Sequence, residues 1–399
     1  MADPVIASGD GSDASNLRLL PGQYPADPVL QSSAGLREPY NPFFDVQWSV
    51  GLRGTYTTGS EGERFDTRIL PAVSLDHAGS RSTLSLEAGA EVVRADDGQV
   101  DVSELRLNAE STYALDSWTN LNTSAELSLT QDIAGTPGVA SDVVVAPQDL
   151  SGSVGVGVDR QFGLFNVALS SVVARNIYGD TLLSSGRRDN SDQNYWSTDG
   201  TLRVGYQATP IFEVFGETGV GRDMFDESSA SDSFDATDAT LRGGITAHWN
   251  DTLEASISTG LALRSYDDSS SETTTARLYD ANLQYRPNST LTIDAGFSTT
   301  VSPPGPDGSG DARVEYEATA EAGYTVNTWL ALRAGAAWTF ADYTDSADTA
   351  SGYGLSAGAD YLFNSHTTLN ADYDYGYTDS RADGEQDAHR ISLGLTVSR

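Results

Sequence analysis

The 399-residue chain has no cysteine, no lysine and only two methionines. Without cysteine there is no disulfide framework, no thiolate zinc site and no cysteine nucleophile. Positive charge is scarce as well: 23 basic residues, all arginine, stand against 57 acids for a net charge of -34. Such a surface repels polyanions, so nucleic acid is excluded as a partner. Long hydrophobic runs are missing too, and nothing approaches the roughly 20 apolar residues that a membrane-crossing helix needs. A mean hydropathy of -0.33 resembles that of a water-soluble protein. That average does not separate the two cases, because a membrane-spanning strand places apolar residues only at every second position.

What the chain does have is a repeated phrase. "YRPNSTLTIDAGF" from Tyr285 has near-copies in "HWNDTLEASISTGL" from His248, "YTVNTWLALRAGAAW" from Tyr324, "YLFNSHTTLNADYDY" from Tyr361 and "YALDSWTNLNTSAEL" from Tyr113. Each is an aromatic residue, a short turn carrying Asn or Asp, and an alternating run. In the run from Val46 to Tyr56, one parity holds Val, Trp, Val, Leu, Gly and Tyr, and the other holds Gln, Ser, Gly, Arg and Thr. This period of two marks a strand with one apolar face. The pattern recurs from Phe65 to Val397 and predicts about eighteen strands, most of them reaching the ~9–11 residues that a tilted strand needs to cross a bilayer.

After every second strand the connection is a few residues long, as at Asp116-Ser117, Asn250-Asp251 and Asn364-Ser365. The other connections read as long and acidic, as in "RDMFDESSASDSFDATD" from Arg222. The pattern predicts an all-β fold, a transmembrane antiparallel up-and-down β-barrel over residues 43–399, with short periplasmic turns, extracellular loops and both termini in the periplasm. Trp118, Trp249 and Trp329 fall beside the turns as one aromatic belt, with Trp196, Trp338, Phe340 and Tyr343 toward the other rim. A soluble sandwich array also alternates, but its strands carry mixed faces, and a propeller would show a constant period with blade signatures. Residues 1–42, rich in Pro, Asp, Ser and Gly, show no alternation and read as a flexible periplasmic segment or a plug. The start "MADPV" reads as a mature end behind an added initiator methionine.

With this layout, the chain resembles the putative beta-barrel porin type 2 family of Gram-negative outer membranes. The resemblance is carried by "REPYNPFFDVQWSVGLRGTYTT", "RILPAVSLDHAGSRSTLSLEAGAEVVR", "QDIAGTPGVASDVVVAPQDLSGSVGVGVDRQFG" and the closing "RISLGLTVSR". It implies an outer-membrane location, with membrane lipid and lipopolysaccharide around the barrel. It also implies a channel for hydrophilic solute or polymer, with polysaccharide export beside periplasmic export proteins, or a closed structural or adhesive barrel, as alternatives. Ser392, Gly394 and Val397 fit the C-terminal assembly signal of such barrels, but Arg399 stands where an aromatic residue is expected.

Catalytic chemistry has little to work with. His77, His248 and His366 fall at turns, and His389, near Glu385 and Asp387, has no Ser-His or Asp-His constellation beside it. The expectation is no enzyme, no cofactor and no metal, since the Asp-rich pieces lack a cation-loop spacing. Function is expected on the polar parity. It carries Arg53, Arg106, Arg203, Arg242, Arg264, Arg313 and Arg333 with Glu87, Glu91, Glu110, Glu126, Glu213, Glu217, Glu254, Glu315, Glu317 and Glu321. Two readings are open: these charges satisfy one another across the wall, or they set the charge and size of a permeant. The loop Gln131 to Gln148 holds Val143, Val144 and Val145 between Pro137 and Pro147. Burial of those valines is expected to fold it inward as a constriction, or to pack it as a cap over the rim.

Overall fold

The computed structural model describes residues 44–399 except 61, 95–97, 99, 134–138, 140–141, 227–234, 268–272, 306–309 and 382–383. Residues 1–42, expected to be a periplasmic segment or plug, therefore lie outside the described residues. Eighteen strands among the described residues form one closed antiparallel sheet. They are β1 (Asp45–Gly59), β2 (Gly62–Ala78), β3 (Ser82–Arg94), β4 (Val100–Ala114), β5 (Thr119–Gln131), β7 (Gln148–Phe162), β8 (Phe165–Tyr178), β11 (Tyr195–Gln207) and β12 (Phe212–Phe225). The other nine are β13 (Ala236–Trp249), β14 (Leu253–Tyr266), β15 (Thr274–Tyr285), β16 (Leu291–Ser302), β17 (Arg313–Asn327), β18 (Leu330–Tyr343), β19 (Thr349–Asn364), β20 (Thr367–Ser380) and β21 (Gly384–Ser398). Three short strands, β6 (Val143–Val145), β9 (Thr181–Leu183) and β10 (Gly186–Arg188), make a separate sheet in the loops. Pairing of β1 with β21, from Ser49↔Ser398 to Gly59↔Ala388, closes the ring.

The alternation seen in the sequence becomes two faces of the wall. Val46, Leu52, Leu241, Ile257 and Leu393 on the apolar parity are all more than half exposed, at 55%, 55%, 65%, 62% and 67%. An exposed apolar outer surface around a polar interior is the inverse of a soluble domain and suits a bilayer. Trp118, Trp249 and Trp329 at the turn end and Trp196 and Trp338 near the loop end are exposed on it. Tyr343 departs from the expected belt: it pairs with Arg313 and so takes the interior parity.

The repeated phrase is explained by its turns. Asn327 Oδ1 accepts hydrogen bonds from the backbone N–H groups of Trp329 and Leu330, both at 3.0 Å. Asn288 does the same for Thr290 and Leu291, Asp116 for Trp118, and Asn364 for His366. A short side chain that caps the backbone two or three residues on closes the hairpin, which is why Asn or Asp recurs there. Hydrogen bonding to the Trp118 N–H holds the Asp116 carboxyl below its ordinary pKa. On the opposite end not every connection is long: β1 ends at Gly59 and β2 begins at Gly62, and β20 and β21 are separated by residues 381–383.

One seam differs from the rest. The β13–β14 ladder has fourteen residue pairs and β14–β15 twelve, but β15–β16 has five, from Ala281↔Phe297 to Tyr285↔Ile293. Beyond them, toward the loops, β16 and β17 slip inside β14 and β15. Ala262, Ala276 and Leu278, on the interior parity of β14 and β15, pack against Val301, Val314 and Tyr316, on the exterior parity of β16 and β17. The hydroxyl of Thr299, 1% exposed, takes over part of the lost ladder: it accepts from the Tyr279 N–H and donates to the Tyr279 carbonyl, each at 3.2 Å.

Candidate functional site: the inner wall

Register places all seventeen charged residues singled out above on the parity opposite the apolar face, since paired residues share a side of the sheet. The arginines are engaged, most of them with aspartates. Arg333 binds Asp360 at 2.7 and 3.1 Å and Asp372 at 2.8 Å, and Arg53 approaches Asp372 at 3.7 Å. Gly358 pairs in register with both Arg333 and Asp372, and a side chain there would occupy the space of their contact. Arg242 holds Asp280 at 2.9 Å.

Arg264 is the most enclosed arginine among the described residues of the wall. Only 1% exposed, it donates to Asp223 at 2.7 Å and to Asp238 at 2.8 Å, and its guanidinium carbon lies 5.6 Å from the Tyr266 ring centre. Tyr195 of β11 stacks on Phe225 of β12 at 5.0 Å, two strands from Arg264. On the far side of β1, buried Asp66 bridges Arg64 at 3.0 Å and Arg68 at 3.6 Å, and Arg68 also binds Glu91 at 2.6 Å. Desolvated charges of this kind are tolerated only when paired and hydrogen-bonded.

Arg203 reaches Glu213 at 2.8 Å and Thr246 at 3.2 Å while lying 4.0 Å over the Phe215 ring. That ring needs Gly244 beneath it, where a Cβ would meet Phe215 at 2.6 Å. Arg313 pairs with Glu315 at 2.7 Å, and Arg106 pairs with Glu104. Of the glutamates named from sequence, Glu91, Glu213 and Glu315 therefore meet an arginine, and Glu254 meets His248 at 3.3 Å. Asp66, Asp223, Asp238, Asp280, Asp360 and Asp372, with Arg64 and Arg68, sit on the same parity but were not among the inner-wall charges expected from sequence.

Two acidic troughs gather other carboxylates of the wall. Glu87, Glu110 and Glu126, without an ion pair to any described residue, line a hollow of about 370 Å³ with Ser85, Asn108, Ser124 and Ser153. Glu254, Asp294 and Glu321 line another of about 430 Å³ with Ser256, Asn282, Gln284 and Thr319. Glu317, on the same face, also has no ion-pair partner among the described residues, whereas Glu217 stands in register between Arg203 and Arg242. The two troughs lie on opposite arcs of the ring, β3–β7 against β14–β17.

Between β5 and β7, Val139 meets the inner face of β21. Val139, 7% exposed, accepts a hydrogen bond through its carbonyl from the side chain of Gln386 on β21 at 3.3 Å. Gln386 shares the interior parity of β21 and is itself buried. Ala146, also buried, accepts from the Gln131 side chain at 2.9 Å. The three valines are not what becomes buried. They form β6, which pairs with β9 of the next loop, and Val144 and Val145 stay 53% and 44% exposed. Backbone pairing within the loops, rather than burial of these side chains, fixes their position.

At the loop-side rim, two ion pairs lie on the outer parity. Arg175 holds Asp226 and stacks 5.3 Å over Trp196, and Arg222 reaches Asp267 at 2.8 Å. Hydrogen bonding to these arginines holds the Asp226 and Asp267 carboxyls below their ordinary pKa. His389 faces outward, its Nδ1 2.9 Å from the Tyr373 hydroxyl oxygen. Among the described residues no group of His, Asp and Glu is arranged to hold a metal ion.

A family model described as "Putative beta-barrel porin 2" matches residues 52–399, nearly the whole barrel. The chain belongs to this porin family. The outer membrane protein OpdK from Pseudomonas aeruginosa is similar in fold, with 10% identity and a TM-score of 0.44 over 89% of this chain and 99% of that one. OccK2 (OpdF) of the same organism, solved in complex with glucuronate, has 10% identity and a TM-score of 0.46 over 89% and 98%. A loop-deleted OmpT of Vibrio cholerae has 16% identity and a TM-score of 0.34 over 89% and 99%. No curated protein sequence matches the chain. This porin-family barrel has the architecture of an outer-membrane channel.

Proposed function

We propose that the chain is a passive outer-membrane channel for small hydrophilic solutes that favours cations over anions. The observation that carries this reading is the mismatch on the inner wall. Each arginine singled out from sequence is engaged by carboxylates, while Glu87, Glu110, Glu126, Glu317 and Glu321 have no ion-pair partner among the described residues. A ring of 16–18 strands leaves an aqueous lumen. Uncompensated carboxylates along it make its potential negative, which concentrates cations and depletes anions. The β5–β7 loop, reaching β21 through Val139 and Gln386, narrows the passage and sets its size limit.

Reconstitution of the purified protein in planar lipid bilayers tests the proposal. It predicts discrete conductance steps without any partner protein. A silent barrel that conducts only when a periplasmic protein is added would favour the polymer-export alternative and overturn free diffusion.

A further inference from the structure

We infer that the short β15–β16 seam is a lateral opening through which the alkyl chain of an amphipathic molecule passes between lumen and bilayer. Three observations meet there. First, the wall is held least at this place, with five ladder pairs against twelve in each neighbouring ladder. Second, the part without a ladder is closed by apolar contact between Ala276, Leu278, Val301 and Val314, whose separation breaks no backbone-to-backbone ladder bond. Third, Thr299 offers a replaceable hydrogen bond: one hydroxyl serves both the N–H and the carbonyl of Tyr279.

The chemistry of the occupant follows from what borders the seam. Its outer mouth lies beside Leu261, Leu263 and Tyr279, all exposed on the bilayer-facing parity. Backbone polar groups freed inside hydrocarbon are costly, so a seam in the membrane opens only where side chains or a guest keep them satisfied or dry. An alkyl chain can replace the Leu278–Val314 contact with one of the same kind, while a polar head remains among the carboxylates and hydroxyls of the lumen. A wholly hydrophilic solute gains nothing there. The inference stands apart from the conduction proposal, because it concerns the wall and not the axis of the pore.

The test is photolabelling with a fatty acid whose alkyl tail carries a diazirine, on the full-length protein in phosphatidylcholine–phosphatidylglycerol vesicles. Leu261 and Leu263 face the bilayer whether or not the seam opens, and serve as the internal standard. The expected result is labelling of Leu278 and Val314, which are buried in the closed seam, in addition to the standard pair. Because the chain has no cysteine, the pair Ala276→Cys and Val301→Cys, whose side chains both enter the apolar contact of the closed seam, can be oxidised to lock it. Labelling of Leu278 and Val314 should then be lost and return on reduction, with that of Leu261 unchanged. Unlabelled Leu278 and Val314 beside labelled Leu261 in the unmodified protein overturn the inference. Persistent labelling after the lock overturns it too. If the cysteine variant does not assemble, the labelling map of the unmodified protein decides alone. Conductance plays no part in the readout, so failure here leaves the channel reading untouched, and the reverse also holds.

Discussion

Two regions of the same inner wall use the same residue types to opposite effect. Around Arg264 a cation is shut away from water between Asp223 and Asp238, with aromatic rings on the surrounding strands. Around Glu87, Glu110 and Glu126 the carboxylates line an open hollow beside serines and an asparagine. In the first region charge is structural, because a buried ion is costly unless its partner is fixed. In the second region charge is solvated and free to act on whatever passes. Mutation should therefore damage stability in one region and selectivity in the other.

The largest effect is expected at the buried cluster. Arg264→Leu leaves Asp223 and Asp238 without their cation and should cost about 3–5 kcal/mol, the usual penalty for orphaning one side of a buried pair. Urea unfolding in lipid vesicles measures it. A change near zero would erase the contrast between the regions. The triple variant Glu87→Gln, Glu110→Gln, Glu126→Gln should shift stability by no more than about 0.5 kcal/mol, as for substitutions away from packed or paired groups. Its cation preference should fall clearly in the same bilayer recordings.

A third variant separates size from charge. Deleting residues 140–146 removes β6 and its ladder with β9, and should raise conductance while the strand signal in circular dichroism is retained. Unchanged conductance in an assembled barrel would remove the constriction from the account. The smallest effect belongs to the rim. The Asp226 carboxyl is held below its ordinary value of 3.8 by Arg175, so its pairing is fully present above that value and is lost as pH falls through the lowered one. Asp226→Asn should therefore lower stability slightly at neutral pH and not at all in strong acid. Exposure and salt keep the difference small. An equal loss at both pH values would assign it to packing over Trp196 instead.

Much of this architecture was legible in the sequence, because a barrel writes its two faces directly into the chain. Parity alone separates Leu52 from Arg53, and a hairpin closed by Asn327 or Asn288 needs only local hydrogen bonds. Partnership was less legible. Arg333 meets Asp360 and Asp372 because three strands align in register, and register across strands is not a local property of any of them. Attention to glutamate also hid the aspartates that hold most of the arginines. The β15–β16 seam was beyond the sequence for a sharper reason: Thr299 and Val314 carry the parity of the outer face yet are buried, since a neighbouring part of the wall lies over them. Alternation reports which way a side chain points from its own strand, not what covers it. The same limit applied to Val144 and Val145, whose exposure follows from a ladder between two loops.

The central claim is that uncompensated carboxylates make this lumen cation-selective, and the reversal potential across a bilayer with a potassium chloride gradient tests it most directly. The sign should correspond to preferential passage of potassium, and it should move toward zero in the Glu87→Gln, Glu110→Gln, Glu126→Gln variant. A reversal potential of the opposite sign, or one that the triple variant leaves unchanged, would contradict it.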